Sequence, residues 1–72
     1  MSSSKLESIV TGKVWKIEKA IGDTVAVGDT VLILESMKME IPIEAQSAGV
    51  LRSLDVAEGD SVNEGQVLGT IG

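Results

Sequence analysis

An all-β domain, a flattened antiparallel barrel-sandwich of two similar halves, is the fold the sequence predicts, and three observations predict it. Eight glycines among 72 residues, with frequent Val, Ile and Thr between them, are the composition of short strands joined by tight turns. No stretch of eleven residues carries apolar spacing of three and four without a glycine interrupting it, so no helix is expected. The third observation is an internal repeat. Shifting the chain by 37 residues pairs Gly12 with Gly49, Ala20 with Ala57, Gly22 with Gly59, Asp23 with Asp60, Val25 with Val62 and Gly28 with Gly65. Aliphatic positions match in class: Val14 with Leu51, Ile17 with Leu54, Val31 with Leu68, and Leu34 with Ile71. The glycine matches fall where the chain must turn and the aliphatic matches fall between them. Two copies are too few for a solenoid, so a pseudo-two-fold arrangement is expected, each half burying its aliphatic face on the other.

The elements follow in order. Residues 1–5, Met-Ser-Ser-Ser-Lys, are polar and are expected to form a flexible N-terminal tail of a single domain spanning 1–72. A strand from Val14 to Lys19 runs into a turn at Gly22-Asp23, where glycine supplies positive φ and aspartate hydrogen-bonds nearby backbone. A short strand around Val25, a turn at Gly28 and a strand from Thr30 to Leu34 close the first half. The second half repeats the plan: a strand from Val50 to Val56, a turn at Gly59-Asp60, a short strand at Val62, a turn at Gly65 and a strand from Val67 to Ile71. Pro42 fits the start or edge of a strand, because it cannot donate to a ladder. The expected core is Val14, Ile17, Val25, Val31, Leu34, Ile43, Leu51, Leu54, Val62, Leu68 and Ile71. Trp15, paired by the repeat with Arg52, is expected on the outer face or at one end.

Composition excludes several kinds of chemistry. Without cysteine or histidine there is no thiol nucleophile, no His-based zinc site and no Ser-His or Cys-His pair within this chain. An independent enzyme is not expected. The net charge of −5 argues against phosphate backbones and anionic membranes as partners. The longest aliphatic run is the four residues Val31–Leu34, far short of a membrane span, and the N-terminus lacks the apolar stretch of a signal peptide. A soluble, cytoplasmic protein is expected.

One stretch does not fit ordinary turn chemistry. Between Leu34 and Ile41 lie Glu35-Ser36-Met37-Lys38-Met39-Glu40, where a hairpin normally carries Gly, Asn or Asp. The repeat puts Lys38 in the link between the two halves, at a hairpin tip formed by Ser36-Met37-Lys38-Met39. A lysine at an exposed tip, on a flexible four-carbon stem, suits covalent attachment and does not suit a buried catalytic base.

Met37-Lys38-Met39, with Glu35 before and Glu40-Ile41-Pro42-Ile43 after, resembles the attachment motif of biotinyl domains. Ala45-Gln46-Ser47-Ala48-Gly49-Val50, Glu58-Gly59-Asp60-Ser61-Val62 and Glu64-Gly65-Gln66-Val67-Leu68 are also similar to that family, so the resemblance covers residues 9–72. It implies a biotin/lipoyl attachment protein of the biotin carboxyl carrier type, with two four-stranded sheets and the attachment lysine on a hairpin. Two features depart from the family. Ser36 stands where the family usually has Ala, and the run from Gly22 to Gly28 leaves no room for the protruding insertion of some bacterial carrier subunits.

The resemblance implies biotin joined covalently to Lys38 by a biotin protein ligase, the lysine amine attacking an activated biotinyl acyl-adenylate. It implies Met37 and Met39 as flanking recognition residues, and Glu35 and Glu40 as ligase-recognition residues or as charges that keep the hairpin end solvated. The implied function is a carrier, itself without catalytic or metal-binding residues. It shuttles carboxybiotin between biotin carboxylase and carboxyltransferase sites of an acyl-CoA type carboxylase. The alternatives are a lipoyl carrier of a 2-oxo acid dehydrogenase type system, whose tip typically resembles Asp-Lys-Ala, and an unmodified lipoyl-like adaptor.

Overall fold

The computed structural model describes residues 4–72. Its eight strands are β1 (Ser4–Glu7), β2 (Gly12–Ile17), β3 (Thr24–Val25), β4 (Thr30–Ser36), β5 (Met39–Glu44), β6 (Gly49–Leu54), β7 (Ser61–Val62) and β8 (Val67–Ile71). They form two four-stranded sheets, ordered β1-β8-β6-β3 and β5-β4-β2-β7, with every pairing antiparallel. A displacement of 37 residues relates strands of one sheet to strands of the other: β2 maps to β6, β3 to β7 and β4 to β8. The remaining pair is β1 and β5, where Leu6 corresponds to Ile43 and Glu7 to Glu44. The repeat therefore reaches further than Gly12. It begins at Leu6, directly after the segment expected to be a tail.

That expectation is corrected for two of its residues. Ser4 and Lys5 belong to β1, paired with Ile71 and Thr70 of β8, while residues 1–3 lie outside the described residues. The stabilising feature is Leu6, an aliphatic residue in a polar stretch, which is buried in the core. Burying one leucine contributes about 2 kcal/mol, enough to hold a short edge strand against the neighbouring ladder.

Four turns with one grammar organise both halves: Ala20-Ile21-Gly22-Asp23, Ala26-Val27-Gly28-Asp29, Ala57-Glu58-Gly59-Asp60 and Asn63-Glu64-Gly65-Gln66. In each, the fourth residue's N–H donates to the first residue's carbonyl at 3.0 Å. The third residue is a glycine with φ between 84° and 98°. The fourth residue's side chain then accepts a hydrogen bond from the first residue's N–H, at 2.8–2.9 Å. Glycine at the third position and this hydrogen bond are the marks of a type II turn, and the side-chain acceptor satisfies a donor that the ladder leaves free.

The strands end two residues earlier than expected in β2 and β6. The N–H groups of Glu18 and Lys19 both donate to the Val31 carbonyl, at 2.8 and 3.1 Å, so the chain leaves regular pairing there. Bulges account for the core residues that alternation does not predict. One residue is inserted in each ladder where the register shifts: Trp15 in β2, Arg52 in β6, Val31 in β4 and Leu68 in β8. These are two repeat-related pairs. A bulge breaks the inward–outward alternation, so Val31 and Leu32 are adjacent and both fully buried. Leu6, Leu32, Ala45 and Val56 join Val14, Val25, Val31, Leu34, Ile43, Leu51, Val62, Leu68 and Ile71 in the core, Ala45 and Val56 from loops outside the strands. Ile17 and Leu54, expected in the core, are only partly buried and pack against it. Trp15, bulged outward, is 48% exposed.

Candidate functional site

Lys38 sits in a two-residue turn between β4 and β5, whose last and first residues, Ser36 and Met39, face each other. Met37 and Lys38 have φ of 51° and 66°. Two successive left-handed residues give the backbone of a type I′ turn, the geometry whose twist matches two antiparallel strands. The position prefers Asn or Gly, and each L-residue with a larger side chain in this region costs about 1 kcal/mol or more. The turn is therefore held by the strands below it, which pair without interruption from Leu32–Ile43 to Ser36–Met39. Backbone strain here is a fixed feature of the tip, and it points Met37 and Lys38 away from the body.

The apolar side chains of the tip have no core to enter. Met37 is 92% exposed and Met39 is 60% exposed, which is unusual for a flexible hydrophobic residue. Glu35 and Glu40 are directly opposite each other at the neck of the hairpin, both exposed. Like charges in such a pair oppose hairpin closure, whereas Glu35 has Lys13 as its neighbour on the other side, in β2. Glu40 is left as the outermost member of this row. All five residues singled out in the sequence, Glu35, Met37, Lys38, Met39 and Glu40, are thus gathered at one exposed hairpin end.

The neck is tied to the body by residues distant in sequence. Ser36 Oγ donates to the Thr11 carbonyl at 2.9 Å, and Thr11 Oγ1 accepts from the Glu64 N–H at 3.2 Å. A Cβ on Gly12 would fall on the Glu35 carbonyl oxygen, so glycine is what lets β2 approach β4 closely at this level. Thr11, Gly12 and Glu64 were not among the candidates from sequence. The signal that points to Thr11 and Glu64 is their mismatch under the repeat, since their counterparts are Ala48 and Val27.

A groove of about 380 Å³ runs between the edge strands β1 and β5, lined by Lys5, Leu6, Glu7, Pro42, Ile43 and Glu44 among others, and it does not include Lys38. Lys38 is exposed at the hairpin tip, outside this groove.

The family described as "Biotin-requiring enzyme" matches residues 1–71. The chain belongs to this family. It is 49% identical over 59 residues to a biotin/lipoyl attachment protein of Bacillus subtilis, covering 82% of this chain and 81% of that one. It is 39% identical over 70 residues to the biotin-dependent acyl-coenzyme A carboxylase alpha3 subunit of Mycobacterium leprae, covering 97% of this chain and 12% of that subunit. Among solved structures, the urea carboxylase of Kluyveromyces lactis contains a similar domain. That likeness has a TM-score of 0.94 and 35% identity over 100% of this chain, but spans 6% of the carboxylase. The fold is the same as that of the carboxylase's domain, and the chain corresponds to a small share of these large enzymes.

Proposed function

We propose that this chain is a non-catalytic carrier that holds biotin as an amide on Lys38 and serves a biotin-dependent carboxylase. The observation that carries the reading is the tip itself: a solvent-exposed lysine on a strained two-residue turn, between two exposed methionines, in a chain of the biotin-requiring family. In attachment, the uncharged amine of Lys38 forms a C–N bond with the carboxyl carbon of an activated biotin while the bond to its adenylate leaving group breaks. One cation is lost, which takes the net charge from −5 to −6. Bound biotin supplies a ureido ring that accepts a carboxyl group at one enzyme site and gives it up at another.

The residues present fit that group. The lysine stem is free to swing, Met37 and Met39 offer apolar surface to a ligase and to the ring, and the rigid barrel fixes the base of the arm. Tethering raises the effective concentration of the reactive group at both sites, and this is the carrier's share of the chemistry. The expected partners are a biotin protein ligase, a biotin carboxylase and a carboxyltransferase. An acyl-CoA substrate is the reading favoured by the Mycobacterium leprae relative. Lipoate is the second reading, and the Met-Lys-Met tip favours biotin over it.

Intact mass spectrometry of protein made with a compatible ligase tests this directly. The expected result is the mass of one biotinyl group, capture by streptavidin, and loss of both in Lys38→Arg with an unchanged unfolding midpoint. A lipoyl mass, or streptavidin capture of Lys38→Arg, would overturn the assignment.

A further inference from the structure

The pseudo-two-fold provides an internal control for what the fold itself requires. The turn Asn63–Gln66 near the lysine hairpin and the turn Ala26–Asp29 in the other half have the same backbone bonds. Gly65 N–H donates to the Ser8 carbonyl at 2.7 Å, and Gly28 N–H donates to the Ala45 carbonyl at 2.9 Å. Their side chains differ. Ser8, Thr11, Asn63 and Glu64 correspond under the repeat to Ala45, Ala48, Ala26 and Val27. The half without the hydroxyls closes just as well, so barrel closure does not need them.

What the hydroxyls do is specific to the lysine end. Ser8 is buried and its Oγ donates to the Val10 carbonyl, bracing the loop that leads to Thr11. Thr11 then receives the Ser36 hydroxyl on its carbonyl and the Glu64 N–H on its own hydroxyl. The chain of contacts runs from the attachment hairpin, through the β1–β2 loop, to the β7–β8 turn of the opposite half. Ser36 is the residue immediately before the strained pair Met37-Lys38. Alanine, which the family's motif usually has here, has no group to make this bond.

We propose that Ser36 and Thr11 are positioning residues that clasp the attachment hairpin to the body, fixing the orientation from which the Lys38 arm departs. The proposal deepens the carrier reading and rests on it for its purpose. The clasp itself does not depend on any cofactor. Held this way, the tip keeps the left-handed backbone at Met37 and Lys38 that a ligase must meet, and less ordering remains to be done on binding.

The unmodified chain provides the first test. Amide hydrogen exchange at Met37 to Met39 should accelerate about tenfold or less in Ser36→Ala, the range a single net hydrogen bond permits. Core amides at Val31 and Leu51 should keep wild-type protection. Thr11→Val, which keeps the carbonyl acceptor but deletes the hydroxyl, should give a smaller acceleration, and Ser36→Thr should restore protection. In attachment assays with a biotin protein ligase, Ser36→Ala should raise KM for the carrier with kcat unchanged, and Ser36→Thr should reverse the effect. Wild-type exchange at the tip of Ser36→Ala, or acceleration spread evenly through the core, would overturn the clasp. Wild-type protein that takes up no biotin would defeat the carrier reading and leave the exchange result to decide the clasp.

Discussion

Residue chemistry at the tip is a compromise between backbone comfort and display. Met37 occupies a conformation with φ of 51° that Asn or Gly adopts with little cost, and its side chain is almost wholly in solvent. Nothing in folding rewards methionine there. Replacing it with asparagine should stabilise the domain by about 0.5–1 kcal/mol, because the left-handed region is populated more readily by Asn. The same substitution should slow ligase-dependent attachment if the methionine is a recognition surface. Urea unfolding and attachment kinetics on one preparation of Met37→Asn check both halves of this expectation. A destabilised variant would mean that Met37 contributes packing that its exposure does not reveal. The sequence made this residue visible because it violates turn preference, and a violated local rule is where function is most readily read.

Among the elements, the turns were legible and the ladders less so. The Gly-Asp pairs identify turns by chemistry that acts over four residues, and the structure has them where the glycines stand. The bulges at Trp15, Val31, Arg52 and Leu68 depend on how two distant strands are registered, so alternation within one strand has no signal for them. The same limit hid β1, a short strand stabilised by its neighbour β8 and by a single buried leucine. It also hid the role of Gly69. A Cβ there would fall on the Ser53 carbonyl oxygen of β6, whereas a Cβ on Gly22 would meet nothing within 4 Å. Gly22 is needed for its φ of 98°, and Gly69 is needed for room. Gly22→Ala should therefore cost about 1 kcal/mol, from backbone conformation alone. Gly69→Ala should cost about 2–3 kcal/mol, because β6 and β8 must separate to admit the methyl group. Equal unfolding midpoints for the two variants would contradict this division between turn strain and strand approach.

The whole molecule is 36 Å in its longest direction and 18–19 Å in the others, and its two ends are chemically distinct. One end carries the lysine hairpin with Ser36, Thr11 and Glu64. β5 runs from that hairpin toward Ala45 and Ser47, where Ser47 Oγ lies 2.6 Å from Ser4 Oγ. Gly72 closes beside Gly49 and Val50, its N–H donating to the Val50 carbonyl at 3.0 Å. Residues 4 and 72 thus gather away from Lys38, an arrangement that the linear sequence does not display. It follows from the pseudo-two-fold, which places the 36–39 link and residues 4 and 72 at equivalent positions on opposite halves. The consequence is a pair of turns alike in backbone and unlike in consequence. A short Gly/Ser insertion between Val27 and Gly28 enlarges a turn remote from the lysine, and attachment should proceed within about twofold of the wild-type rate. The same insertion between Glu64 and Gly65 displaces the N–H that Thr11 accepts, and attachment should slow several-fold while the unfolding midpoints of the two insertions stay close. Equal attachment rates would show that the hairpin is presented by its own strands alone, whereas a slow rate for the Val27–Gly28 insertion would show that a ligase reaches across both ends of the barrel.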